Sequence, residues 1–235
     1  MVASEFVYRH RFWMILAVYV LAYSFYNLEN LNVLYAIVPW NQGVPHRDML
    51  VRYSYAGAAL LAAVGAFLLT WSIAYRPPSG DRNHTPFSGG GPFRYVRNPH
   101  YWAYFLLLLA LGTFQSVLGF PVMLVGETIL LLHLVGREEL RLEQEYGERF
   151  SSYAQQVPRF LPSFRSRGED QRQSPDWRLA LWDQAFQWGF VATLLAFAFT
   201  LSDPVGYAFG GATIAFLLLQ KLSQLLWIRS RRNIA

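Results

Sequence analysis

Cysteine is absent. That absence excludes disulfide frameworks, thiolate nucleophiles and zinc–thiolate sites, and it leaves the redox compartment unread. Charge is scarce as well: Asp, Glu, Lys and Arg make up 15% of the 235 residues, against roughly 25% in soluble domains. The formal net charge of +5 is carried almost wholly by arginine. The histidines His10, His46 and His84 are scattered with no metal-ligand spacing. No sequence repeat is visible. No cleavable signal segment is expected, because the first apolar run, starting near Phe12, is too long and too aromatic and has no small-residue cleavage site after it.

What the chain has instead is apolar surface, with 54% hydrophobic and 17% aromatic residues. A membrane-spanning helix needs about 20 mostly apolar residues. Four stretches approach this: about Phe12–Leu28, Tyr55–Tyr75, Ala185–Leu201 and Val205–Ile228. A fifth, Tyr101–Val135, is about 35 residues long, too long for one crossing and suited to two. Gly119-Phe120-Pro121 breaks it, since glycine and proline mark turns. The expected fold is therefore all-α, a polytopic transmembrane bundle of about six spans with a tight central hairpin. Trp13, Trp40, Trp71 and Trp227 near helix ends read as interfacial anchors.

The arginines orient this bundle. Arg9 and Arg11 precede the first span; Arg76, Arg82, Arg94 and Arg97 lie between the second and third. A run from Arg137 to Arg178 lies between the fourth and fifth, and Arg229, Arg231 and Arg232 follow the sixth. With six spans all these groups fall on one side, leaving Arg47 and Arg52 on the other. The positive-inside rule then makes both termini cytoplasmic. Placement at span ends favours an anionic lipid surface over nucleic acid as the partner of the basic charge. The arginine-for-lysine bias and the lack of eukaryotic sorting signals point to a bacterial inner membrane. Residues 29–53 fit either an external loop or a re-entrant segment, and Glu127, mid-span, needs a partner at membrane depth.

Two cytoplasmic segments carry the chemistry. The first reads Gly91-Pro92-Phe93-Arg94-Tyr95-Val96-Arg97-Asn98-Pro99-His100-Tyr101 and leads straight into the third span. The second opens with Arg137-Glu138-Glu139, passes Tyr146-Gly147 and Tyr153, and ends Val157-Pro158-Arg159-Phe160-Leu161-Pro162. Leu140, Tyr146, Phe150 and Tyr153 recur at helical spacing with Glu143, Glu145 and Arg149 facing away, which predicts an amphipathic helix at the membrane surface. Both segments sit at the cytoplasmic end of one hairpin, so they must be close in space. Taken alone, Arg94 and Arg97 read as positive-inside residues and Glu138 and Glu139 as the start of a solvated helix. His133 reads as a packed residue.

Taken together, the two blocks and the hairpin between them resemble the isoprenylcysteine carboxyl methyltransferase and phospholipid methyltransferase superfamily. That family shares a Gly-Pro-Tyr-Arg-Tyr-x-Arg-His/Asn-Pro-x-Tyr block, then a helical hairpin, a Glu-Glu pair, a Phe-Gly-x-x-Tyr-x-x-Tyr stretch and Val-Pro-Arg. The match covers about residues 84–162. The resemblance implies an integral membrane methyltransferase with S-adenosylmethionine as cofactor and a lipid or lipophilic acceptor entering from the bilayer. It implies cofactor contacts at His84, Phe93, Asn98, Pro99, His100, Tyr101 and Glu138. Arg94, Arg97 or Arg159 would hold the cofactor carboxylate. Glu139, Arg97 and Arg137 are the catalytic candidates, with Glu139 taking the proton from an amine acceptor.

Three positions depart from the family. Asn98 replaces the histidine of the eukaryotic enzymes, as bacterial relatives also do, and Ala103 replaces a common glycine. Leu134 stands where eukaryotic prenylcysteine enzymes place a substrate-binding arginine, with Arg137 near but on another face. That argues against a prenylcysteine carboxylate as acceptor. Phosphatidylethanolamine N-methylation is one alternative. A sterol-reductase-like enzyme using a nicotinamide cofactor, or a transporter or scaffold, are others. Residues 1–176 form the expected core and 177–235 an additional C-terminal hairpin that shapes the lipid entrance or an oligomer interface.

Overall fold

Long apolar runs fold as helices when lipid or a packed interior, rather than water, surrounds them, because every backbone group must then be paired within the segment. The computed structural model describes residues 5–37, 47–75, 90–167 and 174–232 and is all-α. Among the described residues no strand forms; Asn32 and Ser116 make an isolated bridge. The helices are α1 (Glu5–Arg9), α2 (Arg11–Ser24), α3 (Val33–Ile37), α4 (Arg47–Ala74) and α5 (Pro99–Leu111). They continue as α6 (Gly119–Tyr146), α7 (Glu148–Gln156), α8 (Trp177–Asp183), α9 (Ala185–Thr200) and α10 (Asp203–Arg232).

Among the described residues, two helices are long and apolar enough to cross a membrane: Asp48–Ala74, with mean hydropathy 1.9, and Gly119–Tyr146, with 1.7. Helices α2 and α5, of 14 and 13 residues, are each roughly 20 Å long. Single 3₁₀ turns, Phe25–Asn27 and Gly112–Phe114, extend them.

Helix α4 is the hub. Its alanines Ala58, Ala59, Ala62 and Ala66 are buried against Ala103, Leu107 and Ala110 of α5 and Val191, Leu194 and Ala198 of α9. Small side chains let the helix backbones approach closely. Tyr55, Phe114 and Phe197 close one end of this core, with ring centroids 5.5–6.0 Å apart. Helix α10 packs on the other side of α9. Helix α2 lies along α6, where Ala22 and Met123 are fully buried.

The contacts between helix ends set the course of the chain. At one end Tyr8 meets Glu138, Asn98 meets Glu139, Asp176 N–H donates to Ala74 O, and Gln220 donates to Trp182 O. At the other end Asn32 reaches Thr113 O, and Arg52 caps the last carbonyls of α9 through Ala198 O and Phe199 O. Helices α2, α4, α5, α6, α9 and α10 thus run alternately up and down.

Three details differ from the sequence expectation. The break in the central hairpin falls at Gly112–Leu118, and Gly119-Phe120-Pro121 begins α6 instead. Proline is tolerated in a first helical turn, where its missing N–H has no partner to lose. The turn itself is held from afar: Glu29 accepts from Leu118 N–H, and Asn32 donates to Tyr26 OH and Thr113 O at 3.0 and 2.9 Å. Second, the amphipathic stretch is two helices, since Gly147 adopts φ 52° and ψ −126°, a backbone that suits glycine and ends α6. Third, Arg47 and Arg52 belong to α4 rather than to a loop. Glu127 is 4% exposed on the buried face of α6.

Candidate functional site

Three consecutive charged residues on α6, Arg137, Glu138 and Glu139, point in different directions because each helical residue turns the side chain by roughly 100°. Each finds a different partner. Arg137 pairs with Glu5 of α1 at 2.5 Å, and both are well exposed. Glu138 accepts from Tyr8 OH at 2.8 Å and pairs with Arg141 at 3.6 Å. Burial, then the neighbouring Glu138 carboxylate, pushes the Tyr8 hydroxyl above the ordinary tyrosine range. Tyr101 packs into the same cluster with Tyr8, Leu130 and Leu134.

Glu139, roughly 100° further round the helix, faces the mouth of the α5–α6 hairpin. Its Oε1 accepts from Asn98 Nδ2 at 2.7 Å and lies 3.7 Å from Arg97 Nη1. Its Oε2 lies 2.9 Å from Arg159 Nε. The carboxylate is 14% exposed and Asn98 6%. The Asn98 contact is a charge-assisted hydrogen bond, about twice as strong as a neutral one, and the two arginines are ion-paired around it.

The two sequence blocks are zipped together around this carboxylate. Arg97 N–H donates to Pro158 O at 2.9 Å, Ser163 N–H to Tyr95 O at 2.8 Å, and Arg167 N–H to Arg94 O at 3.0 Å. Asn98 Nδ2 also reaches Arg159 O at 3.3 Å, and Trp102 Nε1 donates to Phe160 O. Tyr153 OH donates to Phe93 O at 2.7 Å, and burial raises its hydroxyl above the usual range. The first block can take this path because Gly91 has φ +55° and sits against the Tyr75 ring, where a Cβ would approach within 2.5 Å. Gly91 starts a 3₁₀ turn with Pro92 second in it, and Pro99 opens α5.

A cavity of about 380 Å³ lies beside Glu139, within the range of ligand sites. Arg97, Arg159, Glu139 and Glu143 supply its charged lining, with Leu140, Phe150, Ser151 and Ala154 around them. Arg97 Nε is buried there without a hydrogen-bond partner among the described residues.

Of the residues singled out from sequence, Arg97, Glu139 and Arg159 line this cavity, and Asn98 braces it. Phe93 and His100 lie together, with ring centroids 5.6 Å apart. Pro99 is buried at the start of α5 and Arg94 ends the 3₁₀ turn before it. Glu138 and Tyr101 lie on the α1–α2 side of α6, and Arg137 lies on its outer end. His84 falls outside the described residues.

Two groups of residues at the site escape sequence reading. Glu143, Phe150, Ser151 and Ala154 line the cavity, and only the helical periodicity of this region hints at them. Tyr8 reaches Glu138 across 130 residues of chain, with no local signal at all. Compared with protein-family models, with curated proteins and with solved structures, the chain matches none.

Proposed function

We propose that this chain is an integral membrane S-adenosylmethionine-dependent methyltransferase acting on a lipid or lipophilic acceptor. The observation that carries the reading is the convergence of Arg97, Asn98 and Arg159 on Glu139 beside a cavity, at the point where the two family-like blocks meet.

The charge of that cavity supports the cofactor. Its guanidiniums, Arg97 and Arg159, are matched by the carboxylates of Glu139 and Glu143. A balanced lining suits a zwitterionic amino-acid moiety: the arginines meet its carboxylate and the acidic side chains its ammonium. A nicotinamide dinucleotide carries pyrophosphate and asks for excess positive charge, so the same lining disfavours the reductase-like reading.

S-adenosylmethionine supplies an electrophilic methyl group on a sulfonium; the chain supplies positioning, which can be worth about 7–11 kcal/mol. Glu139, with both oxygens engaged, holds Arg97 and Arg159 in place. Glu143 lines the same cavity and is exposed. It is the group in reach of bulk water that can take a proton from an amine acceptor.

The membrane reading has its own support. The alternating helix course gathers Arg9, Arg11, Arg97, Arg137, Arg141 and Arg159 at one end, as the positive-inside rule asks of a cytoplasmic face. The outward faces are apolar, with Leu60 67%, Phe199 76% and Leu219 66% exposed, a surface that lipid can cover. Six crossings with both termini cytoplasmic, in a bacterial inner membrane, fit this course once the 3₁₀ turns lengthen α2 and α5.

Calorimetric titration of S-adenosylmethionine and its demethylated product into detergent-purified chain tests the proposal. Arg97→Ala and Arg159→Ala should each weaken binding about tenfold or more, the loss of one charge-assisted contact. A cooperatively melting sample that takes up neither compound would sink the reading, and uptake of a nicotinamide cofactor instead would favour the reductase-like one.

A further inference from the structure

A second cleft, of about 470 Å³, opens on the outer face of α4 and α5 and shares no lining residue with the cavity beside Glu139. Its walls are apolar: Leu68 and Trp71 of α4, Trp102 and Leu106 of α5, and Tyr95 and Phe164 from the zipped segments. No acidic residue lines it among the described residues.

Two observations define what fits this cleft. First, it continues the outward stripe of α4. Tyr53, Leu60, Val64 and Phe67 are 64%, 67%, 44% and 48% exposed, and they recur at helical spacing up to Trp71 at the cleft wall. Phe67, Trp71 and Tyr95 follow ring to ring, with centroids 6.0 and 6.1 Å apart. An extended apolar chain parallel to α4 fits that stripe. Second, two exposed arginines, Arg165 and Arg167, follow Phe164 of the cleft wall directly in the chain. Ser163 Oγ accepts from Arg165 N–H at 3.2 Å and donates to Arg165 O at 2.8 Å. Arg167 N–H is fixed to Arg94 O. These contacts hold the backbone of two exposed arginines beside a cleft that has no charge of its own. Phe164, just before them, is fully exposed, at 105%, and Leu161 is 75% exposed. Apolar side chains among arginines at this level suit a headgroup–acyl boundary.

We propose that this cleft binds one anionic phospholipid, with an acyl chain along α4 between Trp71 and Trp102 and its phosphate against Arg165 and Arg167. The site is separate from the methyl-transfer cavity and rests only on the membrane reading, not on the methyl-transfer reading. The zipped strap of residues 158–167 forms part of both sites: Arg159 lines one and Phe164 the other. A lipid seated in the cleft therefore braces the segment that supplies Arg159.

Tryptophan fluorescence in vesicles tests this. The full chain is reconstituted in phosphatidylcholine with a minor fraction of either brominated phosphatidylglycerol or brominated phosphatidylcholine. Quenching by the anionic lipid should exceed that by the zwitterionic one at equal fraction. Replacing Arg165 and Arg167 together by alanine should remove most of the excess, since one arginine beside an anionic lipid gives about a fivefold preference. Trp71→Phe should reduce it too, by removing a reporter at the cleft wall. Equal quenching by both lipids in the unaltered chain would overturn the proposal, leaving only an ordinary lipid shell. So would an excess left undiminished by either variant, because the anionic lipid would then sit elsewhere. No quenching by either lipid would overturn the embedding itself.

Discussion

Asn98→Ala perturbs the centre of the site with little else around it. The amide is almost wholly buried, and its Nδ2 donates to Glu139 at 2.7 Å and to Arg159 O at 3.3 Å. Loss of a hydrogen bond to a charged group costs about 1.5–3 kcal/mol. Arg97 and Arg159 remain to hold the carboxylate, so we expect a cost of about 2 kcal/mol. For a chain of this length that lowers the melting temperature by about 4–8 °C, read by tryptophan fluorescence in detergent. The sharper measurement is a double-mutant cycle with Glu139→Gln. Once the charge is gone, the amide loses only a neutral hydrogen bond, about 1 kcal/mol. The two changes should then couple by about 1 kcal/mol, well outside the 0.3–0.5 kcal/mol scatter of independent sites. Additive effects would mean that Asn98 braces α5 and not the carboxylate, and the account of the site would fail at its centre.

Further predictions concern the frame of the site. Gly91→Ala places a Cβ against the Tyr75 ring at a positive φ. It should cost about 1–3 kcal/mol and speed proteolysis of the zipped segments 94–97 and 158–167; unchanged protection would show that the turn is not needed to seat the first block. Tyr8 and Tyr153 keep their protons in the folded chain to higher pH than in the unfolded one, where tyrosine titrates at about 10. Their contribution to stability is therefore constant through neutral pH and lost as pH rises through and above about 10. Melting temperatures across the alkaline range should fall, and fall less in Tyr8→Phe and Tyr153→Phe; a flat profile in the unaltered chain contradicts the burial of both hydroxyls.

Much of the fold was legible because apolar length is a strong signal. The expected span Ala185–Leu201 and the observed α9, Ala185–Thr200, agree almost to the residue, since a polar residue or turn bounds each end. Local signals failed where the deciding contact was distant. Gly119-Phe120-Pro121 looked like the turn, but Gln115 and Ser116, both fully buried, and the reach of Glu29 and Asn32 from before α3 set the turn several residues earlier. The site was legible in its parts and not in its division. Adjacent carboxylates read as one acidic pair, yet the helix turn sends Glu138 to α1 and Glu139 to the hairpin mouth. The partner that fixes Glu138, Tyr8, lies far upstream, where no spacing rule reaches.

That division makes α6 behave like a toothed shaft. Arg137 and Glu138 engage α1 through Glu5 and Tyr8, and Glu139 engages the hairpin mouth, while Ala22 and the Asn32 turn grip the other end. A single residue inserted between Pro121 and Gly136 would roll the charged end by roughly 100° and present each tooth to its neighbour's slot. Only an insertion of about seven residues, two full turns and about 10 Å, would restore the phase. The helix therefore changes length in coarse steps or not at all.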